Sequence, residues 1–132
     1  MSDDNFNKIL VIEDDMLFYD TLNAKLSAQG FIIANSDNGD QAMEKLLFHK
    51  PKLVILDLLL PKADGFTVLS KIRSYPDPEI SNIPVVVLSN LSSEEDIQKA
   101  QSFKIAHYFI KSKTSQEEVV KKAQEIVFGE AT

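Results

Sequence analysis

Three carboxylates in succession, Glu13-Asp14-Asp15, close one short apolar run of the chain, and a lone carboxylate, Asp57, interrupts another. Leu53-Val54-Ile55-Leu56 precedes Asp57 and Leu58-Leu59-Leu60-Pro61 follows it. Ser89 and Asn90 come directly after Pro84-Val85-Val86-Val87-Leu88, and Lys111 directly after residues 105–110. If the ends of these runs meet, three or four carboxylates, a hydroxyl and an ammonium converge on one place. Clustered carboxylates repel one another and call for a cation. Oxygen donors without histidine or cysteine favour a hard ion, Mg2+ most simply. A hydroxyl and a lysine beside such an ion supply the hydrogen-bond donor and fixed positive charge that a phosphoryl group requires. A carboxylate can itself accept a phosphoryl group as an aspartyl phosphate. Each piece alone also has a plain structural reading. Acidic residues after a strand cap helices and complement their dipoles, a serine can end a loop, and a lysine is usually solvated.

The elements needed to gather these residues are legible in the apolar pattern. Lys8–Ile12 reads as a first strand, 16–29 as a helix with Phe18, Leu22 and Leu26 on one face, and Gly30 as its stop. Residues 31–34 form a second strand, and the turn at 37–40 opens a second helix with Ala42, Leu46 and Leu47 inward. The run 53–61 has the continuous apolarity of a strand buried on both faces. Asp64-Gly65 starts a third helix striped by Val68, Leu69 and Ile72, and 75–83, with Pro76 and Pro78, reads as a loop. Residues 84–88 are a fourth strand. Ser92 with Glu95 has the form of a capping box for a fourth helix reaching about 103. Residues 105–110 are a fifth strand, and Thr114 with Glu117 offers a second box before a last helix lined by Val119, Val120, Ala123 and Val127. Strand then helix, five times over, predicts an α/β fold: a parallel sheet with helices on both faces, joined by right-handed crossovers. In such a sheet all strand C-termini lie along one edge, which is where ligands bind.

The 132 residues, 44% hydrophobic and 26% charged, fit a single globular domain spanning 1–132 with a core of about 8–128. A net charge of -6 with no basic stripe argues against direct nucleic-acid binding. No cysteine is present, and His49 and His107 lack ligand spacing. No run is long enough to cross a membrane. The polar start Met1-Ser2-Asp3-Asp4-Asn5 does not resemble a signal peptide, so a cytoplasmic location is expected.

Together, Ile9-Leu10-Val11-Ile12-Glu13-Asp14, Val54-Ile55-Leu56-Asp57 with Pro61 and Gly65, Val86-Val87-Leu88-Ser89 and Tyr108-Phe109-Ile110-Lys111 resemble the receiver domain of two-component response regulators. The resemblance runs from about Lys8 to Val127. It implies the flavodoxin-like receiver fold with strand order 2-1-3-4-5. It implies that Asp57 is the phosphoacceptor, taking its phosphoryl group from a sensor histidine kinase or histidine phosphotransfer protein. Asp14 and Asp57 would bind Mg2+ directly, Glu13 would hold a metal-bound water, and the Leu59 backbone carbonyl would complete the protein ligands. Ser89 and Lys111 would bind the phosphoryl oxygens, and Tyr108 would turn inward with Ser89. The face of the fourth predicted helix, fifth strand and fifth predicted helix would then engage a downstream protein, or pair two copies once phosphorylated. Such a protein is a switch and not an enzyme, assisting only its own phosphorylation and dephosphorylation. The chain ends soon after its last predicted helix, so a stand-alone regulator is expected.

Several positions depart from the family pattern. Ser112 stands where proline normally follows the lysine. A cis bond before proline costs about 0.5–1 kcal/mol, against about 3–4 kcal/mol before other residues, so a trans Lys111–Ser112 bond and an altered loop are expected. Lys104 replaces a usual glycine, and Ala106 and His107 replace acidic residues before the tyrosine. Asn90 is larger than the usual residue there and is expected to limit the inward turn of Tyr108. Leu59 and Leu91 occupy positions that in this family flank the path of the attacking water, which predicts slow self-dephosphorylation. Two other functions compete. A receiver-like interaction module that takes no phosphate would not need the full set Glu13, Asp14, Asp57, Ser89 and Lys111. A Mg2+-dependent phosphatase with an aspartyl nucleophile would need an aspartate at position 59, where leucine stands.

Overall fold

Five strands, β1 (Lys8–Ile12), β2 (Ile32–Ser36), β3 (Leu53–Leu56), β4 (Val85–Ser89) and β5 (His107–Ile110), pair in parallel in the order β2-β1-β3-β4-β5. The computed structural model describes residues 7–129. Residues 1–6 and 130–132, including the acidic start at Met1 and the ends of the expected domain, lie outside the described residues. Among the described residues five α-helices lie between strands, α1 (Met16–Ala28), α2 (Ala42–His49), α3 (Gly65–Arg73), α4 (Pro78–Ser81) and α5 (Glu94–Gln101), and α6 (Gln116–Phe128) follows β5. Among the described residues, no helix is long and apolar enough to cross a membrane.

The two-residue period of a strand divides the core. Leu10, Ile12, Val54, Leu56, Val85 and Val87 face one side, packed by Leu46 of α2, Val68, Leu69 and Ile72 of α3, Ile80 of α4 and Ala100 of α5. Ile9, Val11, Leu53, Ile55, Val86 and Leu88 face the other, packed by Leu22 and Leu26 of α1 and Val119, Val120 and Ala123 of α6. This is why β3 and β4 carry no alternation: both of their faces are buried, and every residue of each is apolar up to Ser89. At about 25 cal/mol per Å2 of apolar surface, this burial is the main drive that brings the strand ends together.

Side-chain caps shift several expected boundaries. The segment 75–83 is not all loop. Asp77 accepts the Glu79 N–H and Pro78 occupies the first turn, where its missing N–H costs nothing, so α4 forms. The helix expected as the fourth is therefore α5, and the last is α6. The cap of α5 is Ser93 with Asp96, not Ser92 with Glu95. The capping box of α6 is Ser115 with Glu118, not Thr114 with Glu117. Thr114 instead donates to the Ile110 carbonyl at 2.8 Å, and Glu117 pairs with Lys25. α5 stops at Gln101, short of 103, and β5 begins at His107, not 105. β2 runs to Ser36, beyond 34, and β3 ends at Leu56, before the expected 61. Lys104 adopts a left-handed φ of 58°, the conformation glycine tolerates best.

Arg73 fixes the end of α3. Its guanidinium donates to the carbonyls of Phe103 (2.6 Å), Ser81 (3.0 Å), Ile83 (2.8 Å) and Lys104 (3.3 Å). The start of α3 is fixed by Asp64, which accepts the Thr67 N–H, and by the close approach of Gly65 to the chain leaving β3. The Gly65 N–H donates to the Leu58 carbonyl, and a Cβ at Gly65 would lie 2.5 Å from Leu58 Cα and 2.9 Å from the Asp57 carbonyl oxygen. Both obstacles are backbone. Gly65→Ala is therefore predicted to cost about 1–3 kcal/mol, as overpacking does. A urea midpoint equal to that of the parent would contradict this packing.

Candidate functional site

The C-terminal ends of β1, β3, β4 and β5 all lie on one edge, and the side chains beyond them form the site. The acidic trio after β1 divides its labour. Asp15 is the N-cap of α1, its Oδ1 accepting the Phe18 N–H at 3.1 Å. Glu13 is buried, with Oε2 accepting the Asp15 N–H at 3.0 Å. Asp14 is exposed. Carboxylate oxygens of Glu13, Asp14 and Asp57 lie within 4.8 Å of one another. The β1–β3 pairing places them: Ile12 is paired with Leu56, and the Asp57 N–H donates to the Ile12 carbonyl at 3.0 Å.

Asp57 is 6% exposed and both of its oxygens are engaged. Oδ1 accepts the Leu59 N–H at 2.9 Å and Oδ2 accepts from Lys111 Nζ at 3.1 Å. Lys111 Nζ also lies 2.8 Å from Glu13 Oε1, so one ammonium bridges two buried carboxylates. The Phe18 ring, 4.5 Å from Nζ, forms one wall around that charge. Burial pushes the Lys111 amine down, but its bonds and proximity to Glu13 and Asp57 outweigh this and hold it above its ordinary 10.5. Burial pushes the Glu13 carboxyl above its ordinary 4.5, against the downward pull of Lys111 and the Asp15 N–H, with Asp57 adding to the rise. The ammonium satisfies two carboxylates while Asp14 faces water. An oxygen-only, net-negative donor set of this kind suits a hard divalent cation, so these residues fit Mg2+.

The remaining expected residues stand around this centre in two groups. Ser89, fully buried at the end of β4, accepts the Leu91 N–H on Oγ at 3.3 Å, and the hydrogen bonds of Asp57 go to Leu59 and Lys111. Hydroxyl and phosphoacceptor candidate are thus on the same edge without being bonded. Half-buried Tyr108 donates its hydroxyl to the Leu91 carbonyl at 2.7 Å. Asn90 is exposed, and its Oδ1 accepts the Ser112 N–H at 2.8 Å. Lys111–Lys113 forms one turn of 3-10 helix, and among the described residues every peptide bond is trans, as expected for Lys111–Ser112. Leu59 is 52% exposed and Leu91 half-buried.

Two supporting residues escaped sequence reasoning. Phe18 was legible only as a helix-face apolar residue. Asn35 on β2 donates from Nδ2 to the carbonyls of Val11, Glu13 and Ser36, fixing the chain that presents Glu13. A polar residue in a strand beside an acidic loop is the only signal it leaves.

Comparison with known proteins finds related sequences and structures. The profile of the response regulator receiver domain matches residues 9–124. The transcriptional regulatory protein KdpE of Staphylococcus aureus is 36% identical over 94 residues, covering 71% of this chain and 38% of that protein. The chain therefore spans well under half the length of that relative. The phosphorylated cyanobacterial phytochrome response regulator RcpA has a similar structure, with a TM-score of 0.81 and 31% identity over 96% of this chain and 97% of that one. The Mn2+-bound form of response regulator Rcp1 is similar at a TM-score of 0.77 and 26% identity, over 96% of this chain and 97% of that one.

Removing the bridging ammonium orphans two buried carboxylates. Lys111→Met is predicted to lower stability at neutral pH by about 3 kcal/mol, the low end for breaking a buried ion pair because the lysine is itself partly exposed. The folded state holds the amine above its unfolded value, so its contribution is complete below 10.5 and is lost as pH rises through the raised value. The stability gap between parent and variant should be level from about pH 8 to 10 and shrink above that. Urea titrations of both proteins measure the gap; one that widens above pH 10.5 would contradict this assignment.

Proposed function

The chain belongs to the response regulator receiver domain family, whose profile matches residues 9–124, and from that premise we propose that it is a phosphorylation-controlled signalling switch with Asp57 as its phosphoacceptor. The observation that carries this is the environment of Asp57: a buried carboxylate with Lys111 on Oδ2 and the carboxylates of Glu13 and Asp14 close by. In the proposed reaction an oxygen of Asp57 attacks the phosphorus of a phosphohistidine on a sensor kinase or phosphotransfer protein. The new bond is O–P, the bond broken is P–N, and the electron pair leaves with the imidazole, which takes up a proton. Lys111 exchanges a carboxylate contact for a phosphoryl oxygen, and Ser89, whose Oγ accepts the Leu91 N–H, turns its hydroxyl to donate to another.

Glu13, through a water, with Asp14, Asp57 and the Leu59 carbonyl would hold Mg2+, whose charge would neutralise the attacking carboxylate and the phosphoryl oxygens. The phosphorylated state described for RcpA and the Mn2+ described for Rcp1 support this chemistry for related chains. Phosphorylation adds about -1.5 to -2 charges and three acceptor oxygens. Drawing Ser89 and Lys111 toward them shifts the loops after β4 and β5, and with them the α5-β5-α6 face, where a downstream protein or a second phosphorylated copy would dock. Nucleic acid is not the proposed ligand of this acidic domain, and a cytoplasmic site of action is proposed. Catalysis is confined to its own phosphorylation and dephosphorylation, since Leu59 offers no proton to a leaving group.

Intact mass after incubation with acetyl phosphate tests this, with a chelator control and Asp57→Asn in parallel. One phosphoryl adduct that requires Mg2+ and is absent from the variant is expected. No adduct on the parent, or an adduct retained by Asp57→Asn, would overturn the proposal. The same assay measures lifetime once donor is removed. Leu59→Asn, which admits water beside the phosphoryl group, should shorten it several-fold.

A further inference from the structure

Ser89, Asn90 and Leu91 are each tied down, and among these side-chain bonds the one that Asn90 accepts reaches the loop that carries the lysine. Ser89 Oγ takes the Leu91 N–H within its own loop, and the Leu91 carbonyl takes the Tyr108 hydroxyl from β5. Asn90 Oδ1 takes the backbone N–H of Ser112 at 2.8 Å. Ser112 is the second residue of the 3-10 turn Lys111–Lys113. The first N–H groups of any helical turn lack partners within it. Here the residue at the usual capping place is Ile110, whose side chain makes no capping bond. The cap comes instead from another loop, 22 residues away in sequence. Ser112 can use it because serine keeps the backbone N–H that a proline would lack. At the far end of the turn, Thr114 Oγ closes on the Ile110 carbonyl at 2.8 Å. Lys111 stands between these two anchors, with Nζ on Glu13 and Asp57.

We propose that Asn90 is a positioning residue for Lys111: by capping the turn through the Ser112 N–H it sets where the ammonium meets Asp57. A lysine side chain has four rotatable bonds and loses much entropy when held. A turn that frays at its start spreads the ammonium over many positions, and fewer of them serve an incoming phosphoryl group. Asn90 itself is exposed and needs no contact with that group. This role rests on the proposed phosphoacceptor function, and it makes the residues after β4 and β5 one unit.

The test is a double-mutant cycle on acetyl phosphate labelling in Mg2+, with Asn90→Ala, Lys111→Ala and the double variant, joined to hydrogen exchange at the Ser112 amide. Asn90→Ala should slow labelling about 3- to 10-fold, the size of one net hydrogen bond, and speed Ser112 exchange by a similar factor. In the Lys111→Ala background the same change should slow labelling no further, because Asn90 acts only through the lysine. General loosening of the fold would instead multiply the two losses. Asn90→Asp, which keeps the acceptor oxygen, should retain protection at Ser112. Parental labelling by Asn90→Ala, multiplied losses in the double variant, or a Ser112 amide equally exchangeable in parent and Asn90→Ala would overturn the proposal while leaving Asp57 as phosphoacceptor. No labelling of the parent at all would remove the phosphoacceptor function and this role with it.

Discussion

Carboxylates of Glu13, Asp14 and Asp57 held within 4.8 Å of one another are the constraint around which this protein is built. Two like charges at about 4 Å in surroundings of effective dielectric about 20 repel by about 4 kcal/mol. Glu13 and Asp57 are buried, so they cannot shed that repulsion into solvent. What keeps them together is the packing of the strands behind them, apolar on both faces, and the single ammonium of Lys111 bridging the two. Gly65 and Arg73 act at one remove, Gly65 setting how α3 begins just beyond Asp57 and Arg73 fixing where it ends. A site that must be assembled against its own repulsion is one that gains from binding a cation, and then from placing an anion on it.

The loop after β4 works on a smaller energy scale. Each bond that holds it, from the Leu91 N–H to Ser89, the Tyr108 hydroxyl to the Leu91 carbonyl and the Ser112 N–H to Asn90, is between neutral groups and nets about 0.5–1.5 kcal/mol. Contacts to an ionised phosphoryl group are roughly twice as strong. In the proposed switch the loop is therefore held firmly enough to have a defined resting position and loosely enough to be pulled from it. Tyr108 on β5 is already bonded to that loop through the Leu91 carbonyl, which in the proposed switch would couple a shift of Leu91 to β5.

The central strands were legible because burial on both faces leaves continuous apolar runs such as Leu53–Leu56, which admit few other interpretations. The strand order followed from the resemblance to receiver domains, and the gathering of Asp14, Asp57, Ser89 and Lys111 at one edge from parallel topology, which makes strand C-termini a single location. Boundaries were lost where two registers looked alike. Ser92-Ser93 and Glu95-Asp96 offer two capping frames, as do Thr114-Ser115 and Glu117-Glu118, and only the folded geometry selects between them. The short α4 was hidden because Pro78 breaks a helix interior but suits a first turn. What stayed invisible was every contact made across the fold by a polar side chain to backbone. Arg73 on four carbonyls, Asn35 on the Glu13 loop and Asn90 on Ser112 leave no periodic trace in a sequence.

If the carboxylate cluster is the organising constraint, Lys111 and a divalent cation compete to neutralise the same oxygens. Calorimetric titration of Mg2+ into the parent and into Lys111→Met measures that competition. Tighter Mg2+ binding is predicted in the variant, by about threefold or more, since a positive charge beside the site has been removed. Equal or weaker binding in a folded variant would show that the ammonium and the metal do not share these carboxylates, and would contradict the organising role given to the cluster.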